Sequence, residues 1–291
     1  MLRLTEIRLP IEHAIDPLPA ALSVAIAQRL GISPESLPVF TVFKRSHDAR
    51  KNSRLMLSYT IDIALDAAQE AALLERAAAA GNTQIRPAPD TRYHFVAQAP
   101  VQLEQRPVVV GFGPCGIFAA LVLAQMGFRP LVLERGKAVR ERTQDTWRLW
   151  RKKQLNPESN VQFGEGGAGT FSDGKLYSQI KDPKHYGRKV LHEFVRAGAP
   201  EEILYVAKPH IGTFRLVGVV ENMRRQIEAL GGEIRFEQRV TGLRLKAHAK
   251  KEANDPAQTH KVCGVRLASG EEIDCAQLVL ALGHSARDTF T

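Results

Sequence analysis

The sequence has few cysteines: Cys115, Cys263 and Cys275 are the three in 291 residues. They lie far apart and form no C-x-x-C pair. This spacing argues against a disulfide framework, a zinc-binding knuckle and a dithiol redox centre. Because thiols stay free in reducing compartments, the sequence favours a cytoplasmic protein, and it offers no metal site.

The sequence also lacks a long apolar run. Its most apolar segment, residues 112–128, is interrupted by glycine, proline and glutamine, and it is shorter than the roughly 20 residues of a membrane-spanning helix. The first ten residues, MLRLTEIRLP, carry Glu6 and no uninterrupted apolar core, so they do not predict a secretory signal. We therefore expect neither a membrane segment nor a membrane partner.

Acidic residues are outnumbered by basic ones, which gives the chain a formal net charge of +9 at pH 7. Such a balance favours association with polyanions, although it says nothing about fold. Two segments, residues 44–54 and 135–153, hold local clusters of arginine and lysine. RNA is therefore a possible partner.

The second basic cluster also contains two tryptophans. Trp147 and Trp150 are interleaved with Arg148, Arg151 and Lys152, a composition that proteins use to bind single-stranded nucleic acid. The alternative is a solvated helix face whose tryptophans pack inward. We favour this alternative, because basic patches arise easily in sequences.

The first hundred residues predict a separate ferredoxin-like α+β domain with the order βαββαβ. Asp66 is the expected N-cap of the second helix. For the first helix, Asp16 is the expected N-cap and Pro17 the expected first-turn residue. The predicted strands cover residues 2–9, 37–44, 54–65 and 92–97, and the helices end at Leu30 and Gly81. Residues 98–107 are polar, contain two prolines and form the expected linker to a second domain, residues 107–291.

The second domain begins with a compact βαβ pattern. An apolar strand, PVVVG, precedes a helix at residues 116–126 and a second strand at residues 130–136. Gly111, Gly113 and Gly116 give the spacing G-x-G-x-x-G between the first strand and the helix, and Glu134 ends the second strand. This is the context of a dinucleotide-binding turn, in which the glycines allow a tight turn, close approach of the pyrophosphate, and close helix packing.

The acid at position 134 narrows the choice of dinucleotide. A carboxylate accepts hydrogen bonds from both ribose hydroxyls and repels a 2′-phosphate, so Glu134 indicates FAD or NAD rather than NADP. The N-terminus of the following helix offers N–H groups to the phosphates.

A second G-x-G-x-x-G spacing occurs at Gly164, Gly166 and Gly169. It lacks an apolar strand before it, an amphipathic helix after it and a strand-ending acid, so it does not predict a second Rossmann site. A glycine-rich loop of this kind can bind anionic oxygens or lie against a flat ring. It can equally be a flexible surface loop.

The rest of the domain separates FAD from NAD. Helices and loops, which we place at residues 137–212, separate the βαβ unit from the later strands, whereas an NAD domain continues directly through further βαβ units. After a helix at residues 215–230 the sequence predicts strands at residues 240–246, 262–267, 272–275 and 278–283, with a long polar hairpin loop at residues 247–260. This arrangement indicates an interrupted Rossmann-type domain with a β-meander, and it favours FAD.

These motifs, together with NVQFGEGGAGTFSDGKLYS and SGEEIDCAQLVLALGHSARDTF, resemble the FAD-binding domain of glutathione-reductase-type flavoproteins. More narrowly they resemble a bacterial family of FAD-dependent dehydrogenases, also described as NAD(P)/FAD-dependent oxidoreductases. The resemblance covers residues 106–291 and, more loosely, the N-terminal domain. Because members of that family continue past GHSARDTF, we expect this chain to be truncated at its C-terminus.

The resemblance also implies a set of FAD-binding residues. It places the pyrophosphate at Gly111, Gly113, Pro114, Cys115 and Gly116, the ribose at Glu134, the adenine side at Arg135 and Val240, the flavin near Gly166, Gly167, Gly169 and Thr170, and a close passage by the cofactor at Ala281 and Gly283. Leu282 stands where the family has threonine. We expect Cys115 to be a small, buried packing residue.

The expected function is that of an FAD-dependent oxidoreductase, which moves hydride between an unidentified substrate, or transiently bound NAD(P)H, and the flavin. No catalytic residue is identifiable, and His284, Asp173 and Lys175 are expected to be structural or cofactor-positioning. Two alternatives remain: an RNA-associated flavoprotein or basic binding module, and an inactive fragment of a flavoprotein.

Overall fold

The computed structural model describes residues 1–14, 18–49, 55–247 and 260–290, which form a mixed α/β structure. The chain folds as two compact units. Unit 1 comprises Met1–Arg92, Leu176–Leu191 and Glu201–Pro209, and unit 2 comprises Tyr93–Lys175, His192–Pro200 and His210–Thr291. The domain limits given by the sequence, residues 1–100 and 107–291, stay predictions.

Unit 1 contains an antiparallel sheet and two longer helices. Its elements are β1 (Leu2–Pro10), α1 (Leu18–Leu30), β2 (Phe40–Asp48), β3 (Met56–Ile63), α2 (Ala67–Ala79) and β4 (Ile85–Pro87). The sheet has the order β2-β3-β1-β4, with every pair antiparallel. The order of elements along the chain is the βαββαβ order predicted from the sequence.

Alternation along the strands decides which face of this sheet is buried, since successive side chains point to opposite faces. Leu2 and Leu4 of β1 and Ile61 of β3 are fully buried and belong to one apolar cluster with side chains of α1 and α2. Between them, Arg3 donates two hydrogen bonds, of 2.7 and 2.8 Å, to the carboxylate of Asp62. The sheet therefore has an apolar face under the helices and a polar face opposite.

The position predicted for the last strand of unit 1 was wrong. Residues 92–97 form neither helix nor strand, and β4 lies earlier, where Ile85 pairs with Leu4 of β1. The aromatic and β-branched composition of RYHFVA is typical of strands, but Phe95 and Val96 are exposed, whereas Ile85 is buried. The burial of Ile85 against β1 thus outweighs the strand propensity of residues 92–97.

Unit 2 contains two sheets and several helices. Its parallel sheet has the order β11 (Leu278–Leu280), β5 (Val108–Val110), β6 (Leu131–Leu133) and β7 (Glu233–Arg235). A three-stranded antiparallel sheet holds β8 (Val240–Ala247), β9 (His260–Leu267) and β10 (Glu272–Asp274). The helices are α3 (Pro114–Gln125), α4 (Val139–Lys152), α6 (Thr213–Ala229) and α7 (Arg287–Phe290), and α5 (Tyr186–Arg196) has residues in both units.

The predicted strands of unit 2 are present, each within a few residues of its expected limits. Residues 137–212, all of which are described, contain helices and loops but no extended strand, as expected. Some predictions fall outside the described residues: the capping pair Asp16 and Pro17, the end of the first basic cluster at residues 50–54, and most of the polar hairpin loop. In the described part of the chain, no helix has the length and apolar character needed to cross a membrane.

The N-cap of α2 provides a test of the fold. Asp66 accepts a hydrogen bond of 2.8 Å from the N–H of Gln69, which confirms the predicted cap. We expect Asp66→Ala to lower the free energy of unfolding by about 1 kcal/mol, because an N–H in the first turn loses its partner. Asp66→Asn keeps the acceptor and should lie near the parent in urea denaturation. Equal losses in the two variants would contradict the capping role.

Candidate dinucleotide site

The site is built around the glycine turn between β5 and α3. Gly111 has a φ of +98°, and a Cβ there would lie 2.5 Å from the carbonyl oxygen of Ala281 on the neighbouring strand end. A Cβ on Gly116, in the first turn of α3, would lie only 1.9 Å from the carbonyl oxygen of Gly111. Both glycines are therefore required by close approach within the protein itself.

Gly113 differs from its two neighbours in the motif. It has an ordinary φ of −75°, and the nearest atom to a Cβ there would be Cα of Gly167 at 3.7 Å, a normal contact distance. The packing of the protein therefore does not demand a glycine at position 113. The absence of a side chain leaves backbone open to a cavity in front of the turn.

That cavity has a volume of about 210 Å³ and lies wholly within unit 2. Most of the residues that the sequence assigned to FAD line it: Gly111, Gly113, Pro114, Cys115, Glu134, Arg135, Gly167, Val240, Ala281 and Gly283. Gly116, Gly166, Gly169 and Thr170 do not. Leu282 and His284 also line the cavity, whereas Asp173 and Lys175 lie elsewhere and pair with each other at 3.2 Å.

The expectation for Cys115 was wrong. Its side chain is exposed and lines the cavity instead of being buried as a packing residue. The reason is its position in the first turn of α3, directly after Gly113 and Pro114, where the helix begins at the edge of the cavity. The N–H groups of a first helical turn have no partners within the helix.

Glu134 is almost fully buried and joins three segments of the site. Its Oε2 accepts a hydrogen bond of 2.6 Å from the N–H of Phe112, and its Oε1 accepts bonds of 2.8 and 2.9 Å from the N–H groups of Gly136 and Gly164. A carboxylate has about four acceptor positions. One position on Oε2 therefore remains for a further donor from the cavity that Glu134 lines.

The second glycine run packs against the first. The N–H of Gly166 donates to the carbonyl of Phe112 at 2.9 Å, and a Cβ on Gly167 would lie 3.1 to 3.2 Å from Pro114 and Gly113. The run follows no strand and leads only into a short 3-10 helix, Ala168–Phe171. The two glycine runs thus meet at one cavity.

The remaining predicted residues of this loop have internal or surface positions. A Cβ on Gly166 would lie 2.1 Å from Oγ1 of Thr170, which is itself buried, so these two residues shape the loop from within. Gly169 is exposed, with no atom within 4 Å of its Cβ position. Their proposed role near a flavin stays a prediction.

Arg142 of α4 holds the second glycine run in place. Its side chain is fully buried and donates hydrogen bonds of 2.6 to 2.7 Å to the carbonyls of Asn160, Val161 and Glu165. A Cβ on Gly164 would lie only 2.3 Å from Cδ of Arg142, so this position has no room for a side chain. Burial lowers the pKa of the guanidinium to about 10, which still leaves it charged at pH 7. Sequence reasoning missed Arg142, because it lies among surface arginines in a basic segment.

Glu165 supplies the second buried charge of the loop. Its Oε2 accepts a hydrogen bond of 2.7 Å from the N–H of Val139 at the start of α4, and its Oε1 lies 3.4 Å from Nε of Arg224. Burial raises the pKa of this carboxyl above its ordinary value, against the opposing effects of Val139 and Arg224. Two buried ionic side chains thus fix the loop to the first turn of α4. Glu165 of the loop accepts from the N–H of Val139, and Arg142 of α4 donates to the carbonyl of Glu165.

At the other side of the cavity, Arg135 fastens the short helix α7. It donates bonds of 3.1 Å to each oxygen of Asp288 and one of 2.9 Å to Glu158. Its guanidinium lies 3.9 Å from the centre of the Phe163 ring. The hydrogen bonds from Arg135 lower the pKa of Asp288.

The tryptophans of α4 do not pack inward, so the interpretation favoured from the sequence was wrong. Trp147 is 45% exposed and Trp150 is 56% exposed. The buried positions of α4 are instead occupied mostly by polar groups, including Arg142 and Asp145. Because Arg142 must reach the glycine run, the apolar rings lie on the outer side of the helix.

Comparison with known proteins gives two matches in sequence. A family model described as a domain of unknown function (DUF8436) matches residues 1–64. A protein of Clostridium beijerinckii, described as an uncharacterized protein, is 39% identical over 289 residues, which are 99% of this chain and 50% of that protein. The chain thus spans about half the length of the curated relative it matches.

Solved structures give partial matches. THI4 of Thermovibrio ammonificans is 17% identical, with 62% of this chain and 58% of that chain covered and a TM-score of 0.39. A complex of OTEMO with FAD and NADP is 17% identical, with 62% and 26% covered and a TM-score of 0.36. A 3-ketosteroid-delta4-(5alpha)-dehydrogenase of Rhodococcus jostii is 15% identical, with 63% and 48% covered and a TM-score of 0.36. These values are low, so the case for function rests on the residues of the chain itself.

Two helical glycines provide a matched test of the packing around the turn. Gly116→Ala places a Cβ 1.9 Å from a backbone oxygen, and we expect a loss of stability at or above the upper end of the usual range for overpacking, about 3 kcal/mol. Gly218 of α6 has no atom within 4 Å of its Cβ position, so Gly218→Ala should stabilise unit 2 by about 1 kcal/mol. Unfolding of both variants can be followed by the emission of the tryptophans in α4. Similar changes in stability at the two positions would contradict the close approach of Gly116 to the carbonyl oxygen of Gly111.

The buried carboxyl of Glu165 predicts a characteristic pH dependence. Because its pKa in the folded state is raised, its contribution to stability is fully present below the unfolded value of about 4.3 and is lost as the pH rises through the folded value. We expect Glu165→Gln to gain stability relative to the parent as the pH rises above about 4.3.

Glu221 is the control with the opposite sign, since hydrogen bonds from Arg140 lower its pKa. Its contribution is present above the unfolded value and is lost as the pH falls through the folded value. Glu221→Gln should therefore lose stability relative to the parent as the pH rises toward about 4.3 from below. The free energy of unfolding of each variant is measured by urea denaturation at several pH values. If both variants changed in the same direction relative to the parent as the pH rises, the environment of Glu165 would not be as described.

Proposed function

We propose that this chain carries the FAD-binding part of a flavin-dependent oxidoreductase, with the pyrophosphate at the turn from Gly111 to Gly116 and the adenosine ribose at Glu134. The observation that carries the proposal is Gly113. It is the one glycine of the motif that neighbouring protein atoms do not require, and its open side faces the cavity. A ligand that approaches the backbone closely explains why no side chain stands there.

The turn has the electrostatic character that a pyrophosphate needs. Gly113 is the N-cap of α3 and Pro114 is its first residue, so the N–H groups of the first turn and the positive end of the helix dipole are directed toward the cavity. Gly167 closes the opposite side of the turn. The residues present therefore fit a diphosphate.

The surroundings of Glu134 favour a dinucleotide with an unmodified ribose. Three N–H groups fix the carboxylate, and one acceptor position remains for a hydroxyl. A 2′-phosphate would meet this negative charge. Arg135 does not compensate, because Glu158 and Asp288 already accept its hydrogen bonds. FAD or NAD thus fits better than NADP.

The topology favours FAD over NAD. Strand β7 is followed by the antiparallel sheet of β8 to β10, and only then does β11 join the parallel sheet beside β5. A domain built for NAD continues through successive βαβ units instead. Val240 at the start of β8 and Ala281 after β11 both line the cavity, so the interruption contributes to the site.

In this proposal the flavin supplies hydride transfer, and the chain binds and orients it. Gly111 to Gly116 hold the diphosphate, Glu134 holds the ribose, and the loop of Gly166, Gly167, Gly169 and Thr170 extends toward the flavin. We also propose that the flavin exchanges hydride with an unidentified substrate or with transiently bound NAD(P)H. Unit 1, with its βαββαβ order, is proposed to be a ferredoxin-like domain.

The visible absorption spectrum of the purified chain tests the proposal. We expect a flavin spectrum in the parent, or its appearance after addition of FAD and removal of the excess. Gly113→Glu should abolish it, because a carboxylate at this position occupies the space of the pyrophosphate and repels it.

Gly218→Glu introduces the same charge at a glycine that has open space and lies outside the cavity. This control should keep the spectrum of the parent. The proposal would be overturned by a parent that takes up no FAD, or by a Gly113→Glu variant that is folded by circular dichroism and still retains it.

A further inference from the structure

A patch of aromatic rings covers the outer side of α4, which we call the α4 surface: Trp147, Trp150 and Phe171 with Arg148 and Arg151. The ring centres of Trp147 and Trp150 are 6.1 Å apart, and those of Trp150 and Phe171 are 5.9 Å apart. Both pairs are edge to face. The three rings are thus connected: the two tryptophans are exposed, and Phe171 is half-buried, with its ring 4.8 Å from the guanidinium of the buried Arg142.

Cations predominate among the exposed neighbours of these rings. Arg148 is 59% exposed, and the guanidinium of Arg151 lies 4.1 Å from the centre of the Trp147 ring. Lys152 and Lys153 follow and are exposed. Between Glu141 and Glu158 the sequence has one acid, Asp145, which is 3% exposed and lies 3.1 Å from Nζ of Lys137 and 3.7 Å from the guanidinium of Arg148. The exposed charge of the α4 surface is therefore positive.

The exposure of two tryptophans is costly for a surface with no ligand, since each leaves a large apolar area in water. The positions i, i+3 and i+4 of a helix share one face, so Trp147, Trp150 and Arg151 are presented together. The buried side of α4 is fixed by Arg142, but that explains only why the rings cannot point inward. It does not explain why position 150 holds tryptophan instead of a polar residue.

We propose that the α4 surface binds single-stranded nucleic acid. Bases stack on exposed aromatic rings, and neighbouring arginines and lysines neutralise the phosphates. The three rings follow one another at 6.1 and 5.9 Å, so the surface offers room for more than one base. This site is separate from the dinucleotide cavity, and it holds whether or not the chain binds FAD.

An acidic protein segment fits the surface less well. Protein interfaces are enriched in tryptophan and arginine but depleted in lysine, whereas this surface continues into Lys152 and Lys153. Aromatic rings next to exposed cations match the chemistry of bases and phosphates along a strand. An acidic polypeptide therefore serves as the competing probe in the test.

The location of binding can be read directly, because Trp147 and Trp150 are the two tryptophans of the chain. We expect a single-stranded RNA of about 20 nucleotides to quench their emission in a saturable way. The affinity should fall with salt between about 50 and 200 mM, with a slope near −2 in a double-logarithmic plot if about three phosphates are neutralised. Polyglutamate and inorganic polyphosphate should compete weakly, since neither offers bases.

Variants then separate stacking from charge, with affinity measured by the anisotropy of labelled RNA. Trp150→Leu should weaken binding about tenfold, and Trp150→Tyr, which keeps an aromatic face, should restore most of it. Arg151→Gln should weaken binding and reduce the salt slope. Arg266→Gln, which removes an exposed arginine charge from β9, should change neither.

Three results would overturn the proposal. The first is binding by Trp150→Leu as tight as that of the parent. The second is competition by polyglutamate or polyphosphate as strong as that by RNA, which would identify a protein partner or simple charge attraction. The third is an equal effect of Arg151→Gln and Arg266→Gln. Circular dichroism of each variant excludes loss of fold as the cause.

Discussion

The second unit depends on one buried carboxylate that satisfies three backbone donors at once. Glu134 joins the first glycine turn through Phe112, the end of β6 through Gly136, and the second glycine run through Gly164. A buried N–H without a partner costs about 1 to 3 kcal/mol. Because all three donors converge on one side chain, the walls of the cavity cannot move independently of one another. The same group is then already oriented toward a ligand before one arrives.

Buried charge continues outward from this point. Arg142 binds one carbonyl in the second glycine run and two just before it, and Glu165 in that run binds the first N–H of α4. Apart from the short 3-10 helix at Ala168–Phe171, the loop has no regular secondary structure. Ionic side chains bonded to its backbone hold it in place instead. Polar groups on the inner side of α4 leave the outer side to the tryptophans. One requirement, that a loop be held near the glycine turn, thus shapes the cavity and keeps the tryptophans off the inner side of α4.

The sequence predicted those features that depend on local spacing. The turn at Gly111 and the N-cap at Asp66 have signatures within a few residues, and strands β5, β6 and β11 of unit 2 are short apolar runs. What it missed depends on contacts between distant segments. Ile85 forms a strand only because β1 lies beside it. The exposure of Cys115 follows from where the cavity opens, and Arg142 is buried because its carbonyl partners lie some twenty residues later. No local pattern distinguishes that arginine from its exposed neighbours.

The parallel sheet has a consequence for synthesis of the chain. Val108 of β5 pairs with Leu131 on one side and with Leu278 on the other. At ribosomal rates of about 5 to 20 residues per second, β5 emerges on the order of 10 to 30 seconds before β11. During that interval one edge of a fully apolar strand has no partner within unit 2. The parallel sheet of unit 2 is thus completed only near the end of synthesis, while the sheet of unit 1, whose strands all lie within the first 87 residues, can complete its pairing early.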